Sequence, residues 1–202
     1  MTGRPVLRHL ETARLVLRPR LEDEAAVFRQ LWVERDPRVP ARRRIDADGH
    51  PTVEDVAAHL RDEACATGLT VLAVEVRETG EVIGYCGLFA VDGRPPDEPE
   101  LAYELLAAAH GWGYATEAAR AIVDWARDNG YARLWADVWA WNKASLRVLE
   151  KLGFTEVERG EPGPHGVNLT TVLEVGATRQ HPRSSPPGPQ GAPGRPTPTT
   201  GT

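Results

Sequence analysis

One stretch of the chain has the residues and spacing to hold an anion: His110-Gly111-Trp112-Gly113-Tyr114-Ala115-Thr116. An apolar run from Leu101 to Leu106 precedes it and reads as a strand. A helical pattern follows, beginning near Ala115 and stopping at Asn129-Gly130. A turn from strand to helix leaves the first N–H groups of the helix without intrahelical acceptors. The helix dipole adds partial positive charge at the same place. Phosphate or diphosphate is the natural occupant. Gly111 and Gly113 let a bulky anion close on the main chain, and the Thr116 hydroxyl adds a side-chain donor.

Several anion-binding patterns compete for this turn. A P-loop requires Lys-Ser/Thr after its second glycine, and that pair is missing. The dinucleotide fingerprint requires a third glycine where Thr116 stands, and an acidic residue where the next strand ends in Trp139-Ala140-Trp141. An ordinary tight turn also fits the loop taken alone. The third anion-binding pattern, Gln/Arg-x-x-Gly-x-Gly/Ala, becomes His110-x-x-Gly113-x-Ala115 here. Gly-Trp-Gly-Tyr-Ala-Thr-Glu-Ala resembles the pyrophosphate loop of the GNAT acetyltransferases in their RimJ/RimL branch. Asn142-Lys143-Ala144-Ser145, continuing to Gly153-Phe154, is similar to the second signature of that branch, and it lies one helix and one strand later. The resemblance covers roughly residues 8 to 175. Two ordered signatures make it far more specific than the loop alone.

The resemblance implies a reaction and roles. Acetyl-CoA is the co-substrate, and an amine attacks its thioester directly. The pyrophosphate is expected on the N–H groups of Gly111, Trp112, Gly113, Tyr114, Ala115 and Thr116, with His110 opening the motif. Trp112 replaces the usual Lys or Arg, which removes one charge contact. The main chain of Leu105 and Leu106 is expected to pair with the pantetheine amides. Asn142 is expected to contact the same arm, although its residue type and place fit a helix N-cap better. Ser145 is expected to protonate the departing thiolate, because the tyrosine other GNAT proteins carry four residues later is Leu149 here. A serine in the first turn is also a common local cap. Glu104 is the candidate base, with Glu100, Glu158 and Glu161 behind it. A base matters: at pH 7 a lysine-type amine of pKa about 10.4 is neutral in about one molecule in 2,500, and an α-amine near 8 in about one in ten. The acceptor is a protein N-terminus or a small-molecule amine. The alternative from another class is a non-catalytic acyl-CoA-binding sensor or scaffold.

The elements that must position these residues are legible from periodicity. The 202 residues, 41% hydrophobic and 26% charged, suit one soluble globular domain plus a tail. A net charge of −5 argues weakly against nucleic acid as a partner. No metal-ligand spacing, signal-peptide core or membrane-length apolar run is present, so no metal and no membrane are expected and a cytoplasmic monomer or homodimer is. Cys65 and Cys86 read as buried thiols. Alternation predicts a strand within Leu10–Pro19, and 3.6-residue spacing a helix over Leu21–Val33. Thr52 and Asp55 mark the start of a second helix bearing Val56, Leu60 and Cys65. Leu69–Val76 and Val82–Val91 form a hairpin. Strands at Leu101–Leu106 and Ala132–Trp139 flank the main helix. A helix from Ala144 to Leu152 leads to closing strands at Phe154–Arg159 and Leu169–Val175. Trp135, Trp139 and Trp141 read as packing, Arg42-Arg43-Arg44 as a solvated run, and His165 as a loop residue near the acceptor side.

This order predicts an α/β (α+β) domain with a mixed, mostly antiparallel seven-stranded sheet. The resemblance adds the GNAT fold, with central parallel strands that splay and helices on both faces. Residues 1–9 are read as an N-terminal extension, 10–175 as the domain, and 176–202 as a disordered Pro/Gly/Ser/Thr-rich tail.

Overall fold

The computed structural model describes residues 6–64 and 69–176. Cys65 and all but the first residue of the expected tail lie outside them. Eight strands form one sheet in the order β1-β2-β3-β4-β5-β6-β8-β7. They are β1 (Leu10–Glu11), β2 (Leu15–Arg18), β3 (Val71–Val76), β4 (Val82–Phe89), β5 (Glu100–Leu105), β6 (Arg133–Trp139), β7 (Thr155–Arg159) and β8 (Asn168–Glu174). The helices are α1 (Ala25–Glu34), α2 (Val53–Ala64), α3 (Tyr114–Asp128) and α4 (Lys143–Leu152).

The eighth strand is a local event. The expected first strand breaks at Thr12: the Thr12 N–H bonds to the Leu15 carbonyl at 2.9 Å, and Leu10 pairs with Leu17. Leu7, assigned from the sequence to an extension, is fully buried among core residues. The expected single helix over residues 21–33 opens instead with a 3-10 turn at Glu22–Glu24. α2 begins as its sequence predicts: Thr52 and Asp55 cap each other's N–H groups at 2.7 and 3.1 Å.

Helices cover both faces of the sheet. Leu72, Val74, Leu101, Leu105, Leu134, Ala136 and Val138 pack against Ala118, Ala119, Ile122, Val123 and Ala126 of α3. On the other face, Ala73 and Val82 pack against Phe28 and Leu31 of α1 and Val56, Ala57 and Leu60 of α2. Each large aliphatic side chain so buried contributes about 1.5–3 kcal/mol. The period-2 pattern of the strands therefore decides which helix pair each residue meets.

Among the described residues, all strand pairings are antiparallel except one. β5 and β6 run parallel, and only Glu100 and Trp135 are in register. Beyond that pair β5 stays with β4 as far as Leu105, and β6 stays with β8 as far as Trp139. The two central strands therefore part company while each keeps its outer neighbour, and a wedge opens between them. No helix among the described residues is long and apolar enough to cross a membrane.

Candidate active site

The mouth of the wedge is the turn that joins β5 to α3. Gly113 is the N-cap of α3, and both it and Gly111 have φ of +82°. A Cβ on Gly111 would meet no protein atom within 4 Å, and one on Gly113 only Arg14 Nη2 at 3.6 Å. The glycines are thus required by the left-handed backbone, not by crowding within the protein. Among the described residues, no protein acceptor is found for the N–H groups from Gly111 to Thr116; the first bonded one is Glu117 N–H, to the Gly113 carbonyl at 3.0 Å. That is the donor set a diphosphate needs. Trp112 is 65% exposed at the tip of this turn.

A latch holds the turn from behind. Glu117, in the first turn of α3, accepts from Thr12 Oγ1 at 2.6 Å, from the Arg14 N–H at 3.0 Å and from Arg14 Nε at 2.7 Å. Arg14 Nη1 also donates to the Trp112 carbonyl at 3.0 Å, and its guanidinium lies 4.7 Å above the Tyr114 ring. Partial burial opposes the charge on Glu117, but the bonds from Thr12 and Arg14 outweigh it and keep the carboxyl below its ordinary value. This latch went unpredicted, because its halves lie about a hundred positions apart in the chain.

Leu105 and Leu106 behave differently from each other. Leu106 donates its N–H to the Ile83 carbonyl at 2.8 Å and accepts from the Ala109 N–H at 2.9 Å. It has no main-chain donor left for a pantetheine amide. Because successive residues of a strand face opposite edges, the polar groups of Leu105 point into the wedge. Its carbonyl there meets His110 Nε2 at 2.9 Å. His110 is exposed but reaches back to the strand end.

On the far side of the wedge, Asn142 caps α4, accepting from the Ser145 N–H at 3.1 Å. The carboxamide oxygen is committed to the helix while Nδ2 remains a donor. Ser145 Oγ lies 2.8 Å from the Tyr103 hydroxyl, and the Ser145 carbonyl lies 3.1 Å from it. Burial raises the Tyr103 phenol above its ordinary value, and the Ser145 bond pulls the other way. Tyr103 was missed, although strand alternation puts it on the same face as Leu101 and Leu105.

The opposite face of β5 carries carboxylates. Glu104 is gripped by Arg35 Nε and Nη2 at 2.7 and 2.6 Å, and Tyr85 donates to it at 2.9 Å. The Arg35 side chain, 9% exposed, also lies 4.1 Å from the centre of the Trp32 ring. Glu100 has a looser environment, with Arg94 Nη1 at 3.4 Å. Burial and the neighbouring Asp137 charge raise its carboxyl above the ordinary range, against the pull of Arg94. Glu158 and Glu161 lie outside the lining of the cleft. His165 Nδ1 meets the Arg38 carbonyl at 3.0 Å, and Trp141 donates to the His165 carbonyl at 2.9 Å under the Arg38 guanidinium. Cys86 is buried.

One cleft of about 1970 Å³ runs from the Gly111–Thr116 turn past Tyr103, Asn142 and Ser145 to Glu100 and Glu104. It is large enough for an extended ligand on one side and an acceptor on the other.

Known proteins resemble this chain in sequence or in fold. A protein of Bacillus subtilis (strain 168), YkkB, itself uncharacterized, is 33% identical over 132 residues, which is 65% of this chain and 75% of that one. A GNAT-family acetyltransferase from Bacillus anthracis superposes with a TM-score of 0.69 at 18% identity, covering 83% of this chain and 98% of its own. Mycobacterium smegmatis RimJ, in complex with CoA-disulfide, superposes with a TM-score of 0.64 at 20% identity, over 79% and 81% of the two chains. Residues 14–155 match the sequence model of the Acetyltransferase (GNAT) domain. With that match spanning most of the chain and including both ends of the wedge, the protein belongs to the GNAT acetyltransferase family.

Proposed function

We propose that the protein transfers an acetyl group from acetyl-CoA to a primary amine by direct attack. The observation that carries this is the run of N–H groups from Gly111 to Thr116, without protein acceptors among the described residues, at the mouth of a wedge that ends at Ser145. The RimJ structure, with CoA-disulfide on a fold of this shape, supports the reading. The turn and the Thr116 hydroxyl hold the diphosphate. The wedge-facing N–H of Leu105, whose carbonyl already meets His110, donates to a pantetheine carbonyl; Leu106 does not, and Asn142 Nδ2 offers one further donor. Ser145 gives its Oγ proton to the departing thiolate.

The base belongs on the acceptor face of β5. Glu104 already accepts from Arg35 and Tyr85. It is better suited to anchoring that face than to taking a proton. Glu100, buried beside Asp137 and weakly bonded to Arg94, has the surroundings that favour proton uptake. The transferase domain is read as starting near Leu7, whose side chain shares a core with Val175. Its amine is either a protein N-terminus or a small molecule.

The test is thiol release from acetyl-CoA across a panel of amines and N-terminal peptides, with CoA binding followed by calorimetry. Transfer to any member supports the proposal. Binding without transfer selects the non-catalytic sensor, and absence of both defeats the site.

A further inference from the structure

We propose that Tyr103 is a positioning residue for acetyl transfer: from β5 its phenol fixes the Ser145 hydroxyl so that the Oγ proton is aimed into the cleft. This rests on the acetyl-transfer reading given above. Ser145 stands in the first turn of α4, where a free serine turns its hydroxyl onto its own backbone. No such bond from Oγ is found among the described residues. The partner is instead the Tyr103 hydroxyl, 2.8 Å away on the opposite wall of the wedge. The Ser145 carbonyl lies farther off, at 3.1 Å, and the single phenol proton goes to the nearer Oγ.

α4 supplies no second hydroxyl. Leu149, one turn later, is 2% exposed and belongs to the core. Of the nearby tyrosines, Tyr85 is bonded to Glu104 on the other face of the sheet, and Tyr114 lies under Arg14. Tyr103 is therefore the phenol that the fold brings to the thiolate side.

The chemistry balances without Tyr103 losing its proton. The amine nitrogen bonds to the carbonyl carbon, the carbon–sulfur bond breaks with its electron pair on sulfur, and the Oγ proton moves to that sulfur. The proton given up by the amine restores the serine through the acceptor-side carboxylate and water. Burial holds the Tyr103 phenol in its protonated form throughout, and the sense of the 2.8 Å contact that leaves the Oγ proton for the sulfur is donation from Tyr103 to Oγ.

The test is a double-mutant cycle with the amine that the wild-type protein acetylates fastest. Tyr103→Phe keeps the ring and removes the hydroxyl. Its kcat is expected to fall about tenfold, a part of the roughly 10²–10⁴ that a placed proton donor contributes. KM for acetyl-CoA should stay unchanged. Ser145→Ala should fall further, and Tyr103→Phe/Ser145→Ala should fall no lower than Ser145→Ala alone. Thioesters of more acidic thiols, which leave without help, should narrow the gap between Tyr103→Phe and wild type. That ratio is internal to each protein, so a loss of stability does not mask it. Equal losses in both backgrounds, a raised KM with unchanged kcat, or a gap that ignores the leaving group would overturn the assignment. If wild type acetylates nothing, the acetyl-transfer reading itself fails; if wild type is active and the cycle is additive, only the role of Tyr103 fails.

Discussion

Replacing Gly111 or Gly113 by alanine tests the anion cradle at its most exposed physical assumption. Both glycines hold φ at +82°, and neither added Cβ would collide with the protein. The disturbance is therefore purely conformational, about 1–2 kcal/mol for an L-residue in the left-handed region. If that strain falls on the binding-competent turn, the dissociation constant for CoA rises by the corresponding factor, about 5- to 30-fold. The control is Gly80→Ala, at a φ of +71° in the β3–β4 turn and likewise with open space around its Cβ. It carries a similar backbone penalty far from the cleft. Calorimetric titration with CoA, paired with thermal melts, separates the two effects. The expected result is a lower melting temperature with unchanged binding for Gly80→Ala, and weakened binding with little loss of melting temperature at 111 and 113, where the free turn relaxes and only the bound turn carries the strain. Should Gly111→Ala and Gly113→Ala bind CoA as tightly as Gly80→Ala, the left-handed turn is not what cradles the diphosphate.

Three further outcomes are expected. Removing the latch with Arg14→Ala should weaken CoA binding several-fold with little change in fold stability, because an ion pair with a half-exposed arginine contributes about 0–1 kcal/mol while its carbonyl contact holds the turn; circular-dichroism melts beside the titration check this. Arg35→Met should destabilise the protein by about 3–5 kcal/mol in urea unfolding, since it strands Glu104 in a largely covered ion pair, and Arg35→Met/Glu104→Gln should recover part of the loss. Asp55 is held down to about 2 by the bonds from Thr52 and His50. Its folded value lies below its unfolded one near 3.9, so its stabilisation is present above about pH 4 and disappears as pH falls toward 2. In acid titrations of stability, Asp55→Asn should therefore lower the plateau and shrink that drop.

Much of this fold is written in short-range pattern. Thr52 and Asp55 announce α2. Gly153, at φ +91°, ends α4 where expected, and the closing strands start within a residue or so of their predicted places. The turn after β5 is recognisable because its glycines and its helix sit side by side. Groups joined through space left no such trace. Thr12 to Arg14 makes a strand break without Gly or Pro, so the expected first strand ran through it. Arg14 finds Glu117, Arg35 finds Glu104, and Tyr103 finds Ser145 only once the sheet is assembled. The main chain of Leu106 is expected beside the pantetheine, but just past β5 its N–H turns to Ile83.

Among the described residues, a single parallel rung, Glu100 to Trp135, joins the two halves of the sheet. β1 to β5 form one leaf and β6, β8 and β7 the other. An extended ligand with its own amides would complete the missing ladder, turning substrate into temporary scaffold. Departure of that guest would then loosen both leaves together, tying the protein's rigidity to its occupancy.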